Sequence, residues 1–498
     1  MRRISLVAAV AVVVASVVPG VAQAAPAALT WGACPADVTA PGLECSTLDV
    51  PLDYRKPDGT RIRVAISRLK SANPAARRGI LLTNPGGPGG PGLNLPGLLK
   101  LAGLSQSVLD AYDIIGFDPR GVGHSTPVTC DLTPAQQVSN VPPYALNPAD
   151  VAVRAEYAKG VARQCGASPT ASMLPYVTTA NTARDMDRIR AALGEPKLSY
   201  FGISYGTYLG AVYTTLFPQH SDRILLDSNL GPGGLDVTGS RMFAQGFEDR
   251  FPDFAAFAVA HPEYALGTTP AQVRAKYFAL AARLDASPNS QGVDGKLFRQ
   301  ITFGMFYSDR TLPYLATAWH ALDTGQPIPP LPGGQIPGIE NLLSSQLYVV
   351  CGDSDWPESV WAYQKNVAVD RLRHPMFGAA AANVWPCAFW PSDPVEPPVR
   401  IGDRGPSDVL MLQNLRDPAT PLAGALRLRR AFGDRARVVT ADQGGHGVYF
   451  NANTCANDAA TAFLATGVRP ARDLACAAEP ARPVPTDALR VLGSSLGM

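Results

Sequence analysis

The 498-residue chain is long enough for one large domain with an insertion, or for two domains, and its formal net charge of +2 sets nucleic acid aside as a partner. With 46% apolar residues beside 46 glycines and 46 prolines, the composition describes a loop-rich folded protein and excludes a disordered one. In chain order the first element is a leader. Met1-Arg2-Arg3 is followed by an apolar run from Ile4 to Val18 and then by Ala22-Gln23-Ala24. A charged start, a short apolar core and an A-x-A site predict a signal peptide over residues 1–24, and with it a secreted, extracellular protein. The run is shorter than the ~20 residues of a spanning helix, and nothing later is apolar enough to serve, so no stable membrane insertion is expected.

All eight cysteines follow the leader: Cys34, Cys45, Cys130, Cys165, Cys351, Cys387, Cys455 and Cys476. An even count in an exported chain argues for disulfides. Sequence alone does not choose among the connectivities. The spacing falls into neighbouring couples, which favours 34–45, 130–165, 351–387 and 455–476. With no C-x-x-C pair and no histidine at ligand spacing, no metal site is expected.

Residues 44–70 read as strands around a turn at Lys56-Pro57-Asp58-Gly59. Gly79-Ile80-Leu81-Leu82-Thr83 is a buried strand that runs into the glycine- and proline-rich segment from Asn84 to Gly92. A second buried strand, Tyr112 to Phe117, ends in Asp118-Pro119-Arg120-Gly121-Val122-Gly123-His124-Ser125. A helix is expected from Thr179 to Leu193, with Asp185, Arg188 and Arg190 on its polar faces. Then come a strand at Lys197 to Phe201, a helix at Thr207 to Tyr213 and a strand at Arg223 to Asp227. Strands alternating with helices imply a doubly wound, mostly parallel α/β sheet.

After Gly231 the pattern changes. Phe243 to about Leu284 reads as an amphipathic helix, with more helix through 297–322 and Pro-rich stretches at 326–338 and 391–398. Strand character returns at Asp408 to Leu412. More than 200 residues separate Ser204 from Asp417, where two βα units would need about 60. The excess reads as a mainly helical cap over 232–404, inserted between core segments 25–231 and 405–498.

The chemistry centres on Gly202-Ile203-Ser204-Tyr205-Gly206, a G-x-S-x-G sequence between a strand and a helix. That context makes it a nucleophile elbow: a turn so tight that the residues flanking the serine must be glycine. A serine hydroxyl is a weak nucleophile and needs a base, and the base needs a carboxylate. In this kind of sheet the chain order is Ser, Asp or Glu, then His. Asp417 follows a strand in Arg416-Asp417-Pro418, and His446 follows the next in Gly444-Gly445-His446-Gly447. They are the candidates for acid and base, with Asp227 and Asp442 as rival carboxylates. The oxyanion needs backbone donors: the N–H of Tyr205 and one from Pro85-Gly86-Gly87-Pro88-Gly89. Proline has no N–H, so Gly87 is the choice and Gly86 the reserve. A phosphate-cradling role for this loop lacks the Lys-Ser/Thr it would need, and no cofactor is implied.

On these residues the chain resembles the exported tripeptidyl aminopeptidases of actinomycetes, in the prolyl-aminopeptidase-like group of α/β-hydrolases. The resemblance runs from about Trp31 to Cys476 and is carried by the 84–89, 118–125, 202–207, 386–391, 416–421 and 444–447 segments already quoted in part, together with the late Cys455 and Cys476. It implies an α/β-hydrolase with an inserted helical cap that removes short peptides, often tripeptides, from the free N-termini of peptides or proteins. Where a glycine is expected after the strand-end aspartate, the chain has Asp227-Ser228-Asn229-Leu230. The alternatives are a carboxylesterase using the same triad, because fold does not decide substrate, and a catalytically silent surface protein on the same scaffold. An exopeptidase must also meet a substrate ammonium with a carboxylate, since burying that charge unpaired is costly. Asp353 and Asp355, in the acidic segment after Cys351, are the candidates.

Overall fold

Strands such as Ile80-Leu81-Leu82 and Ile224-Leu225-Leu226 carry apolar side chains on both sides of the backbone, so each needs cover on both faces. The computed structural model, which describes residues 29–137, 139–330 and 337–479, meets that need with a nine-stranded sheet between helical layers. The signal peptide expected over 1–24 lies outside the described residues. The strands are β1 (Glu44–Pro51), β2 (Arg61–Leu69), β3 (Gly79–Asn84), β4 (Tyr112–Phe117), β5 (Leu198–Ile203), β6 (Ser221–Asp227), β7 (Val409–Arg416), β8 (Ala436–Gly444) and β9 (Leu474–Cys476). Their order is β1-β2-β4-β3-β5-β6-β7-β8-β9. The β1–β2 and β2–β4 pairs are antiparallel and all the others parallel. The chain is therefore an α/β protein with a doubly wound, mostly parallel sheet, the α/β-hydrolase class.

Helices α1 (Leu95–Leu101), α2 (Gln106–Ala111), α3 (Pro148–Ala167), α4 (Thr179–Ala192) and α5 (Tyr205–Leu216) precede β6. Between β6 and β7 the chain forms α6 (Val237–Arg241), α7 (Phe243–Ala260), α8 (Pro270–Ala286), α9 (Gly295–Met305), α10 (Leu312–Thr324), α11 (Ile339–Gly352), α12 (Val360–Arg373) and α13 (Gly378–Ala381). Helices α14 (Leu422–Phe432) and α15 (Thr454–Thr466) complete the chain. Leu82, Ile115, Tyr200, Leu226 and Met411 enter one core with Met186 of α4, Leu209 of α5 and Leu428 of α14. Their neighbours Leu81, Ile114, Phe201, Leu225 and Leu410 enter the other with Leu99 of α1, Val108 of α2 and Phe463 of α15.

The insertion builds its own aromatic core. Phe247 lies 4.8 Å from Phe306 between ring centroids, and Phe254 lies 4.8 Å from Trp319. The helical stretch expected from Phe243 to about Leu284 is built as two helices. Helix α7 stops at Ala260, a 3-10 turn covers Pro262–Tyr264, and α8 restarts at Pro270 behind the Thr269 cap. Pro262 and Pro270 stand at the first positions of the 3-10 turn and of α8, where a missing N–H is tolerated, whereas Pro252 is carried inside α7.

A second difference concerns Asp185, expected on a polar face of its helix. It is fully buried and its carboxylate takes Nε and Nη2 of buried Arg120, each at 2.7 Å. Arg120 uses its remaining donors on the carbonyls of Leu52, Tyr176 and Pro51. Tyr54 adds its hydroxyl to Asp185 at 2.7 Å. A buried ion pair is tolerated when every polar atom is satisfied, as here. The Asp118–Ser125 motif thus ties its loop to α4.

Candidate active site

Ser204 occupies the turn between β5 and α5 with φ 58° and ψ −125°, a backbone conformation that costs a non-glycine residue on the order of 1–3 kcal/mol. It is held because the turn cannot relax. A Cβ at Gly202 would stand 2.4 Å from the Gly206 carbonyl oxygen, and one at Gly206 would stand 2.9 Å from Asn84 Oδ1. The Ser204 N–H donates to the Asp227 carbonyl at the end of β6 at 2.9 Å.

The glycine loop after β3 lies against this turn: a Cβ at Gly86 would approach the Ile203 carbonyl oxygen to 2.5 Å. Gly86 N–H donates to Asn84 Oδ1 at 3.0 Å and is committed there. The N–H of Tyr205 is the first of α5 and has no acceptor within the helix. The far end of the loop is pinned by buried Asp118, whose Oδ1 accepts Gly92 N–H at 2.8 Å and Leu93 N–H at 3.2 Å, and whose Oδ2 accepts His124 N–H at 2.9 Å. The motif singled out in the sequence therefore works through this loop and not as a reacting group.

Asp417 follows β7 directly and is buried. Its Oδ1 accepts the N–H groups of Ala419 at 2.9 Å and Thr420 at 2.8 Å, and its Oδ2 accepts the Thr420 hydroxyl at 2.9 Å. His446 Nδ1 lies 3.0 Å from Oδ1 and 2.9 Å from Oδ2. With Nδ1 committed, Nε2 is the nitrogen left for proton transfer. Burial works against the imidazolium, but the charge of Asp417 and its hydrogen bond outweigh it and hold the His446 pKa above its ordinary value. His446 N–H donates to the Tyr307 carbonyl at 2.7 Å, and the Tyr307 ring meets the imidazole edge-on at 5.1 Å.

Asp227, the rival acid, has another task. Its carboxylate accepts the N–H groups of Val448 and Tyr449, each at 2.8 Å, from the loop that carries His446. Burial pushes its pKa up to about 6 in spite of these donors. Ser228 sits where a glycine was expected and takes a left-handed φ of 62°. Its hydroxyl donates to Asp227 Oδ1 at 3.1 Å and accepts Gly447 N–H at 2.8 Å. Asp442 is partly exposed and pairs with Arg416 Nη1 at 2.6 Å. The structure thus brings Asp417 to His446 and knits the Ser204 turn to the histidine loop through Asp227 and Ser228. Tyr307, Thr420 and Ser228 were not legible as site residues, since each acts through a hydrogen bond or ring contact that no motif encodes.

Asp353 caps α11 and is partly buried. Its Oδ1 accepts Thr179 N–H at 2.7 Å and its Oδ2 the Thr179 hydroxyl at 2.5 Å; that hydroxyl also lies 2.5 Å from the Tyr205 hydroxyl. Burial pushes the Asp353 pKa up to about 7. It lines a cleft with Tyr208 and Glu396. Asp355 is exposed.

Residues 374–476 match the model of the TAP-like protein family. Over 481 residues the chain is 37% identical to the tripeptidyl aminopeptidase of Streptomyces lividans, covering 92% of this chain and 88% of that protein. It is 29% identical over 461 residues to serine protease Hip1 of Mycobacterium tuberculosis, covering 87% of each. It is 30% identical over 456 residues to carboxylesterase B of the same organism, covering 87% of this chain and 86% of that one.

Proposed function

The chain belongs to the tripeptidyl aminopeptidase family of serine hydrolases, and from that membership we propose that it releases short peptides, tripeptides foremost, from free N-termini. Ser204 attacks the scissile carbonyl while His446 takes its proton, and Asp417 holds the imidazole tautomer and its positive charge. Gly87 and Tyr205 N–H groups receive the oxyanion. His446 then protonates the departing amine, and water repeats the sequence on the acyl-enzyme. The observation that carries this reading is the seating of His446 Nδ1 between both oxygens of buried Asp417, in a loop tied to the Ser204 turn.

The substrate ammonium goes to Asp353 in this proposal, with exposed Asp355 in reserve. Two lone pairs remain on the Asp353 carboxylate beyond those used by Thr179, and the residue faces a cleft that reaches Tyr208, one turn from Ser204. Residues 232–404 act as the cap that roofs the site. The leader and the four disulfides support action after export. Carboxylesterase B among the relatives keeps ester hydrolysis as the second reading.

One assay tests both. Free tripeptide chromogenic amides, their N-acetylated forms and short acyl esters are given to the purified protein. Preference for free amides supports the exopeptidase, and Asp353→Asn should raise KM for them while leaving the acetylated amides unchanged. Turnover of esters alone would overturn the peptidase reading.

A further inference from the structure

A second pocket, partly open to solvent, lies between α3, α11 and the Trp385-Pro386 segment. Val161, Leu343 and Leu347 give it apolar walls. Three polar groups that line it have unspent donors. Arg154 spends Nε on the Val384 carbonyl at 3.1 Å and stacks its guanidinium 4.5 Å over Tyr157, but no carboxylate among the described residues pairs with it. Gln346 is 4% exposed and its side-chain amide bonds to nothing among the described residues. The Trp385 indole N–H is buried without an acceptor among the described residues.

Arg154 is partly exposed and differs from the core arginines in having no carboxylate partner among the described residues. The four fully buried arginines among the described residues, Arg120, Arg250, Arg299 and Arg435, each pair with a carboxylate. A buried donor left unmatched costs on the order of 1–3 kcal/mol, as at the Trp385 N–H, while the free donors of partly exposed Arg154 and of Gln346 can turn to an acceptor placed in the pocket. Burial without a counter-charge also lowers the Arg154 pKa to about 10. The cavity is preformed. Cys351–Cys387 ties the end of α11 to the segment after Trp385, and Cys130–Cys165 anchors the end of α3.

We propose that this cavity binds a carboxylate with an apolar body, its oxygens on Arg154, Gln346 and Trp385 and its hydrocarbon on Val161, Leu343 and Leu347. One guanidinium beside the neutral polar groups of Gln136, Ser139 and Asn140, with no lysine among the described lining residues, matches a monoanion better than a phosphate. The chemistry is shared by the C-terminal residue of a peptide and by a short fatty acid. The site has a route to catalysis. The oxyanion loop touches the same helix α11: a Cβ at Gly89 would stand 2.4 Å from the Leu342 carbonyl oxygen and 2.7 Å from Ser345 Oγ. A ligand that braces Leu343, Gln346 and Leu347 therefore braces the helix surface against which the Gly86–Gly89 loop rests.

The test is binding, read by calorimetry and by Tm, and it stands whatever the enzyme hydrolyses. N-acetyl-leucine and hexanoate are compared with N-acetyl-leucinamide on the full protein and on Arg154→Gln and Gln346→Leu. The acid should bind at least tenfold more tightly than the amide and raise Tm, and Arg154→Gln should lose at least tenfold in affinity with its own Tm little changed. Binding of N-acetyl-leucine without hexanoate assigns the site to peptide C-termini; binding of both assigns it to apolar carboxylates at large. The acid should change kcat for a chromogenic amide without raising KM, which separates this cavity from the serine site. Equal affinity of acid and amide, or undiminished binding by both variants, would overturn the proposal.

Discussion

At the scale of single residues, the two buried aspartates near His446 divide the work by what they touch. Asp417 touches Nδ1, so Asp417→Asn should cost about 10⁴ in kcat through the wrong tautomer. Asp227 touches only backbone N–H groups of the next residues, so Asp227→Asn should cost far less in kcat and show mainly as a lower Tm. Steady-state kinetics of the two variants decides, and a reversed ranking would reassign the acid. Removal of Asp417 should also lower the acid-limb pKa of kcat/KM, because Asp417 is what holds His446 above its ordinary value. Asp353 carries a pH prediction of its own. Its pKa rises from 3.8 to about 7 on folding, through burial, so the protonated form is the one the fold favours. That contribution to stability is full below the unfolded pKa and is lost as pH rises through about 7. Between pH 5 and pH 8 the wild type should therefore lose roughly 2–3 kcal/mol relative to Asp353→Asn, a variant of the same shape without the charge. Melting curves of both proteins at both pH values measure it, and a constant Tm difference would refute it.

At the scale of elements, the insertion is fastened to the loops that carry Asp417 and His446. Arg416 ends β7 and pairs with Asp253 of α7 at 2.9 Å and with Asp442 of β8 at 2.6 Å. Buried Arg250 of α7 shares Asp253, reaches Asp309 and donates to the Phe306 carbonyl. Helix α7 also runs so close to the Asp417 loop that a Cβ at Gly246 would stand 2.2 Å from the Pro418 carbonyl oxygen. Asp253→Asn removes one of two counter-charges from each of two arginines, leaving buried Arg250 with Asp309 and Arg416 with Asp442. It should destabilise by about 1–3 kcal/mol and depress kcat, because the Asp417 loop loses its neighbour. Urea unfolding and kcat report the two effects, and an unaltered variant would show that α7 does not position Asp417. Helices α3, α11 and α12 were not legible beforehand, although α3 carries Asn147 as its cap and Pro148 at its first position. Their apolar residues face one another and the core motif loops, so their pattern is set by tertiary neighbours more than by one amphipathic face.

At the scale of the whole molecule, four disulfides join Cys34–Cys45, Cys130–Cys165, Cys351–Cys387 and Cys455–Cys476, closing loops with sequence separations of 11, 35, 36 and 21 residues. Each should contribute on the order of 2–4 kcal/mol by restricting the unfolded chain, so reduction should lower Tm by many degrees without first separating His446 from Asp417. Thermal unfolding with and without reductant tests this, and an unchanged Tm would mean that packing alone sustains the fold. What the sequence determined by itself was whatever local chemistry enforces: strands apolar on both faces, the glycines around Ser204, the order of serine, aspartate and histidine, and the neighbouring cysteine couples. Those features depend on residues close in the chain, and steric exclusion or periodicity writes them into the order of amino acids. What only the tertiary structure decided was partnership across distance: that Asp185 is buried on Arg120, that Asp227 and Ser228 hold the histidine loop, that Asp353 bonds to Thr179, and that Arg154, Gln346 and Trp385 face one cavity with donors to spare. A side chain's charge state and hydrogen-bond partner depend on which neighbours close around it, and those neighbours come from segments up to some two hundred residues apart.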